Sequence, residues 1–277
     1  MTGKVAWKEG LALLPQHFQR ADASAREDLH HSFGQPPSRA FGFSRLRVDE
    51  SQISGFGAVE VKSCAGFFPG GIHFDSEVGS SRSLRRDLPE GMGTTFQKLT
   101  VYVAMPAPKE GAANLGAETS AFQEYHELLS DSATARSQRQ VGLMVPNLSI
   151  RFSNETNDGY LMLPLCELVR GKQGATVLDE NFHPTVLDIH AAPRLAESLR
   201  TLVNQIRNRC ADLERQNPSV DSPGMRQWLE VLHLRAFLPG VEYFLNNQEI
   251  HPERVFVHLL QVAGGLGYTR GSDSAPT

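Results

Sequence analysis

The sequence predicts an α+β protein, an antiparallel β-sandwich followed by a bundle of helices. Three observations carry this. Between about residues 41 and 170, short β-branched and aromatic runs alternate with turn residues and no helix regularly separates them, the pattern of antiparallel sheets rather than a doubly wound one. From Leu195 onward the apolar residues switch to spacings of three and four, the period of a helix face. The chain of 277 residues also exceeds the usual single-domain size of roughly 100 to 200, so two units are expected.

The opening stretch places Trp7, Leu11, Leu13, Leu14 and Phe18 ahead of the first strand, and Pro15 rules out one continuous helix there. These side chains need cover. They find it either on the chain's own β unit or in a neighbouring subunit, where aromatic anchors carry most of the binding energy. Phe41, Phe43, Leu46 and Val48 make a first strand and DESQ a turn. Ala58, Val59 and Val61 then run towards FFPGG, where Pro69, Gly70 and Gly71 reverse the chain. Further strands are KLTVYVAM at 98–105, VGLMVPNLSIRF at 141–152 and GYLMLPLCELV at 159–169, the last two flanking the polar turn SNETND. Residues 106–140 show little periodicity beyond Phe122, Tyr125, Leu128 and Leu129. These fit one helical face or a strand edge, within a surface excursion between two strands.

Leu195, Leu199, Leu202, Val203, Ile206, Cys210 and Leu213 predict an amphipathic helix over 193–216, which Asn217, Pro218 and Pro223 end. A second helix over roughly 223–237 buries Trp228, Leu229, Leu232 and Phe237, until Pro239 and Gly240 kink or interrupt it. A third opens on Pro252, a proline suited to the first turn, and runs until Gly264, Gly265 and Gly267 end it. The leucine stripe is wider than one partner needs. Either these helices pack on the β unit or they meet copies of themselves. The expected organisation is a docking segment over 1–20, the sandwich over 21–178, a linker over 179–192, the helices over 193–267 and a flexible tail over 268–277.

Composition narrows the function. A hydrophobic share of 40%, 21% charged residues and a net charge of -4 give no general electrostatic reason to bind nucleic acid or an anionic membrane, so the partners are expected to be proteins. Lys8, Glu9, Pro15 and Gln16 interrupt any apolar run at the N-terminus, and no later segment has the roughly 20 apolar residues that span a bilayer. Three distant cysteines, Cys64, Cys166 and Cys210, suit reduced thiols, and a cytoplasmic protein is expected. Cys210 reads as a small buried hydrophobe.

Candidate chemistry is sparse. Asp179, Glu180, His183, Asp188 and His190 lie within one short stretch but in no compact ligand order such as HExxH, with Pro184 between them. They read as turn caps in a linker that Phe182, Val186, Leu187 and Ile189 anchor between the two units. His17, His30 and His31 have no nucleophile elbow for company and read as structural hydrogen-bonders. GGLGYTRG lacks the phosphate-loop pattern and reads as a helix terminator. Arg82, Arg85 and Arg86, followed at once by Asp87 and Glu90, read as a solvated loop first and a protein contact second. No catalytic residue, metal or cofactor is expected. The competing class, a carbohydrate-binding or hydrolytic β-sandwich, asks for aromatic platforms near carboxylates, and only Trp7 and Trp228 exist.

One resemblance adds to this. The opening W-x-E-G-x-x-L-x-P-Q-H-F-Q, here Trp7, Glu9, Gly10, Leu13, Pro15, Gln16, His17, Phe18 and Gln19, resembles the N-terminal signature of the TssK (ImpJ/VasE) family of type VI secretion baseplate proteins. GFSRLRVDE, GFFPGGIHFD, the DLPEG turn, LDENFHPTVLDIHAAPRL and FLPGVEYFLNNQEIHPERVFVHLLQVAG also resemble that family in order and spacing. The resemblance implies a non-enzymatic trimeric adaptor with a shoulder like that of phage receptor-binding proteins, a helical neck and a head. The partners it implies are wedge subunits of the TssF and TssG kind. Trp7, Glu9, Leu13, Pro15, Gln16, His17 and Phe18 are then the partner-binding set, and Leu195, Leu199, Leu202, Ile206, Leu213, Trp228 and Leu232 the neck of the oligomer. After Gly267 the chain runs into GSDSAPT, so the head is expected to be missing, which puts its contact with the membrane complex in doubt.

Overall fold

The computed structural model of the chain describes residues 4–6, 8–32, 41–78, 84–90, 97–116, 118–131, 134, 137–171, 174–216 and 222–270. It is a mixed helix and sheet protein in which every named strand pair is antiparallel. Helix α1 (Pro15–Ser32) precedes a first sheet of β1 (Gly42–Val48), β2 (Ala58–Phe67), β3 (His73–Asp75) and β4 (Leu84–Asp87), with β2 pairing all three others. A short helix, α2 (Glu50–Phe56), joins β1 to β2. The second sheet contains β5 (Lys98–Pro106), β8 (Ser149–Phe152), β9 (Tyr160–Arg170) and β10 (Thr176–Leu178) in the order β10-β9-β5-β8. Between β5 and β8 the chain leaves the sheets as a two-stranded ribbon, β6 (Phe122–Ser130) with β7 (Gln138–Pro146).

Side chains of a strand point alternately to its two faces, and β5 uses that period to bury Leu99, Val101, Val103 and Met105. They share one core with Phe43 and Phe74 of the first sheet and with Phe152 and Leu163 of the second. Phe74 meets Phe43 edge-on, with ring centroids 5.9 Å apart. Arg86 ties the two sheets together at one border. It donates to the Ile150 carbonyl at 2.8 Å, pairs with Glu155 and lies 4.9 Å over the Phe152 ring. Arg85 stays exposed on the same strand, and Arg82 lies outside the described residues. The basic group is thus split, and Arg86 is a structural clasp.

The linker closes the outer edge of β1. The Phe43 amide donates to Thr185 at 2.9 Å and the Leu187 amide donates to Phe43 at 2.8 Å, around a parallel bridge between Phe43 and Val186. Ile189 is fully buried and donates to the Ile250 carbonyl at 3.0 Å. The linker therefore grips both the sheets and the helices α3 (Pro193–Arg215), α4 (Ser222–Asn246) and α5 (Pro252–Arg270).

Several local expectations change. Pro15 opens α1 instead of merely breaking the segment, because a first-turn proline lacks only an amide that has no intrahelical partner. The expected sandwich segment from residue 21 thus begins inside a helix. DESQ is the start of α2, capped by Asp49, whose carboxylate accepts from the Ser51 amide at 3.1 Å. Lys62 lies 2.8 Å away and, with the Ser51 hydroxyl, lowers the Asp49 carboxyl to about 2. The 141–152 run is two strands. Asn147 interrupts it by donating to the Glu118 and Ser120 carbonyls and by bonding Gln123.

Helix α4 continues through Pro239. An interior proline costs about 3 kcal/mol or more, and the burial of Phe237, Leu238 and Val241 around it, each worth roughly 1.5 to 3 kcal/mol, offsets that. Helix α5 likewise runs past Gly264, Gly265 and Gly267. A side chain at Gly265 would overlap the His233 ring of α4, and one at Gly240 would overlap the His258 ring of α5. The two glycines are notches that let neighbouring helices approach. His258 fills its notch stacked on Phe237 at 4.7 Å and edge-on to Phe244 at 5.5 Å.

Candidate functional site

The helices separate two kinds of apolar surface. On α3 the stripe turns inward: Leu199, Val203, Ile206, Cys210 and Leu213 are all buried, Val203, Ile206 and Cys210 with Leu234, Phe237, Leu238 and Val241 of α4, and Leu199 with Ile250 and Val255 beyond it. Ion pairs lock this contact. Arg207 reaches Glu242 at 2.6 Å, Arg209 reaches the buried Glu230 at 3.1 Å, and Arg235 grips Glu214 through both oxygens at 2.8–2.9 Å.

On α4 a second stripe faces outward. Met225, Trp228, Leu229 and Leu232 follow the i, i+3, i+4, i+7 spacing of one helix face, and Leu232 is 66% exposed. Tyr243 of α4 and Phe256, Val257 and Leu260 of α5 are exposed as well, Phe256 at 60%. A helix apolar on every side calls for cover on every side.

This divides the expected oligomer residues. Leu199, Ile206 and Leu213 are used up inside the chain, and Leu195 and Leu202 are half-buried against the same cores. Their part in an inter-subunit face is a correction: the linker, α4 and the start of α5 of the same chain already cover that stripe. Trp228 and Leu232 do face outward, joined by Tyr243, Phe256, Val257 and Leu260, which the sequence reading missed. The signal was present in α4, where apolar residues occupy positions 228, 229, 231, 232 and 234 without the gaps of an amphipathic helix.

The N-terminal set is only partly visible, since Trp7 lies outside the described residues. Glu9 sits in an exposed turn. Leu14 starts α1: its amide donates to His17 Nδ1 at 3.1 Å and its carbonyl accepts from the His17 amide at 3.0 Å. His17 therefore shapes the helix start, while Pro15 and Gln16 are exposed. Leu13, Leu14 and Phe18 keep more than half of their surface in solvent, Phe18 at 53%.

The linker carboxylates work as caps. Asp179 accepts from the Asn181 amide at 2.9 Å, and Asp188 accepts from the His190 and Glu249 amides, each at 3.0 Å. His190 Nε2 meets the Asn247 carbonyl at 2.9 Å. Among the described residues no three His, Cys, Asp or Glu side chains come together as metal ligands. Nearby is a cleft of about 390 Å³, floored by Leu46, Leu165, Cys166 and Leu178 and bordered by Arg47, Lys62, His183 and Arg194. Phe182, Glu50 and Asp179 also line it. Burial pushes the Cys64 and Cys166 thiols up to about 12 and raises Cys210 as well, the opposite of a reactive cysteine. His30 and His31 have no described side chains.

A protein whose four-stranded sheets share one buried core but whose helices leave large apolar side chains in solvent has the kind of surface that marks contacts with other proteins. The chain belongs to the type VI secretion family described as "Bacterial Type VI secretion, VC_A0110, EvfL, ImpJ, VasE", which it matches over residues 17–275. It is 24% identical to the type VI secretion system baseplate component TssK1 of Pseudomonas aeruginosa, over 94% of this chain and 60% of that protein. It thus spans well under two thirds of that relative's length. Among solved structures it is similar to a chain of a TssK-TssF-TssG baseplate subcomplex, at TM-score 0.84 and 22% identity over 100% of this chain and 92% of that one. It is also similar to a crystal structure of TssK, at TM-score 0.83 and 18% identity over 100% of this chain and 64% of that one. At these identities the structural likeness shows the fold. Among the described residues no helix is long and apolar enough to cross a membrane.

Proposed function

We propose that this chain is a structural subunit of a type VI secretion baseplate, working in the cytoplasm as an adaptor without catalytic activity. The two sheets form a shoulder and the three helices a neck. Three necks meet around an axis to make a homotrimer, and the N-terminal segment docks onto wedge proteins of the TssF and TssG kind. The observation that carries this is the outward stripe on α4 and α5, Trp228, Leu232 and Phe256 above all. Family membership and the partners named with a solved relative support the choice of assembly. In this reading Leu13, Pro15, Gln16 and Phe18 present the docking surface, His17 and Glu9 shape it, and Trp7 supplies the largest anchor. The functional segments are 1–20, 21–178, 179–192, 193–267 and 268–277, with α1 spanning the first boundary.

The test has two arms. Light scattering on the purified chain at micromolar concentration reads the oligomer: a trimer is expected, and a monomer at every concentration defeats the neck assignment. Pull-down of purified wedge proteins by a Trp7→Ala/Phe18→Ala variant reads the docking segment. Each anchor is worth roughly 1.5 to 3 kcal/mol by buried area, so binding should weaken by at least tenfold with the melting temperature unchanged. A collapse in melting temperature would instead place these side chains in the chain's own core.

A further inference from the structure

The sheets and the helices are two bodies with one joint. Each has its own core, and among the described residues no strand packs broadly against α3, α4 or α5. What touches both sides is the short turn Ile189–Ala191, between β1 and α3, and Leu195 is half-buried against the cores of both. Beside this turn the cleft of about 390 Å³ opens between Leu46 and Leu178 of the sheets and Pro193 and Arg194 of α3. Two bodies with so small a contact swing against each other by default, and the cleft leaves room for it. Arg194 and Glu50 reach across at 3.7 Å, but both side chains face solvent, and such a pair holds little.

Hydrogen bonds oppose the swing. The linker holds β1 through Thr185 and Leu187 and, with no residue between, holds the α4–α5 turn from Asp188 onward. Asp188 accepts from the Glu249 amide at 3.0 Å, Ile189 donates to the Ile250 carbonyl at 3.0 Å, and His190 Nε2 meets the Asn247 carbonyl at 2.9 Å. Asp188 stands at the centre of this clasp, because its other oxygen accepts from the His190 amide at 3.0 Å and so shapes the linker's own turn. Its partner across the joint is unusual. Glu249 is the one non-glycine among the described residues with a left-handed backbone, at φ 61°, a conformation that a Cβ resists. Such an outlier persists where its surroundings over-determine it, and here a carboxylate holds its amide.

We infer that residues 185–190 and the α4–α5 turn form a latched hinge, in which Asp188 is the positioning residue that holds the helices at one angle to the sheets. What the angle does rests on the proposed function: it sets copies joined at the helices against wedge proteins docked elsewhere on the chain. The latch itself does not depend on the trimer. Hydrogen bonds to a charged group are the stronger kind, and one carboxylate that serves both sides of a joint is a single point of release.

The experiment measures the distance between spin labels at Ser54→Cys and Arg226→Cys, two exposed positions, the first on α2, which packs on β2, and the second near the far end of α4. The labelled full chain is diluted with unlabelled chain, so that only distances within one chain are read. The three native thiols are buried and take no label. From the α4–α5 turn α4 extends back about 30 Å to Arg226, so about 10° of swing at the joint moves that label about 5 Å. The parent should give one narrow distance. Asp188→Ala should shift the mean by a comparable amount or at least double the width of the distribution, while amides of β5 and α3 keep their hydrogen-exchange protection. Asp188→Asn, which retains one acceptor oxygen, should fall between the two, and it decides the matter where the alanine variant does not fold. Glu249→Gly relieves the backbone without removing the amide and should leave the distance as in the parent. An unchanged distance in both Asp188 variants overturns the latch. So does a loss of protection in β5 and α3 with both, which would make Asp188 a residue of the fold alone. A monomeric chain whose distance widens in Asp188→Ala keeps the latch and defeats only the trimer.

Discussion

The sheets and the helices spend their apolar residues differently. In the sheets the large side chains, Phe43, Phe68, Phe74 and Phe152, are all but fully buried, and the open edge of β1 is paired by the linker. In the helices only α3 reaches that state. Helices α4 and α5 bury one side, through Phe237, Val241 and Val255, and leave Leu232, Tyr243 and Phe256 in solvent. The contrast teaches that the two four-stranded sheets share a core completed within one chain, whereas α4 and α5 leave an apolar side exposed.

Substitutions on the two sides should therefore have unlike consequences. The largest effect on folding is expected from Phe74→Ala, which opens a cavity between the sheets and should cost about 3 to 5 kcal/mol in denaturant unfolding. Leu232→Asp should do the reverse, abolishing self-association in light scattering while unfolding of the dissociated chain stays within about 0.5 kcal/mol. Equal damage to stability from both would erase the contrast. A smaller effect is expected at the α4–α5 notch. Gly240→Ala gains up to about 1 kcal/mol of helix propensity, but the new methyl group meets a His258 ring held between Phe237 and Phe244. Overpacking of this kind costs about 1 to 3 kcal/mol, so the net change should be destabilising; a stabilised variant would mean that His258 moves aside freely.

The α3–α4 clasp sharpens the comparison further. Arg235 and Glu214 are both substantially exposed, and such pairs are worth about 0.2 to 1 kcal/mol. A double-mutant cycle on Arg235→Ala and Glu214→Ala should return a coupling in that range, leaving the apolar contacts as the main hold. The smallest effect is a pH dependence in the sheets. The Asp49 carboxyl is held at about 2, below its ordinary value of 3.8, by Lys62 and Ser51. Its stabilising contribution is complete above its unfolded pKa and fades as pH falls through about 2. An Asp49→Asn variant should accordingly show a slightly flatter loss of melting temperature between pH 4 and pH 2.

Much of the fold was legible because local rules settled it. The strands β5 and β9 follow from β-branched and aromatic runs, α3 from a clean helical period, and the opening of α5 from Pro252. The exceptions share a cause. Pro239 and Gly265 carry breaker signals, yet the helices pass through them because neighbouring side chains bury what a break would expose. Val141 and Leu143 were legible as part of a strand, but Tyr125 and Leu129 gave no firm signal, since the strand they pair with lies beyond a polar turn. At the candidate surface Trp228 and Leu232 were named from sequence, while Phe256 and Tyr243 emerged only from the packing.

By itself, then, the sequence determined a strand-rich region followed by three helices, the linker cap at Asp188, the burial of Cys210, and, through the opening run around Trp7 and Phe18 and the later segments that resemble it in order, the family. Tertiary structure alone decided which apolar stripe is buried and which is exposed. Periodicity fixes the direction in which a side chain leaves its own helix, but α4 carries apolar residues on more than one side, so its period does not say which of them are covered. Only the way three helices dock, with His258 in the Gly240 notch and Arg235 on Glu214, buries one stripe and leaves the other in solvent.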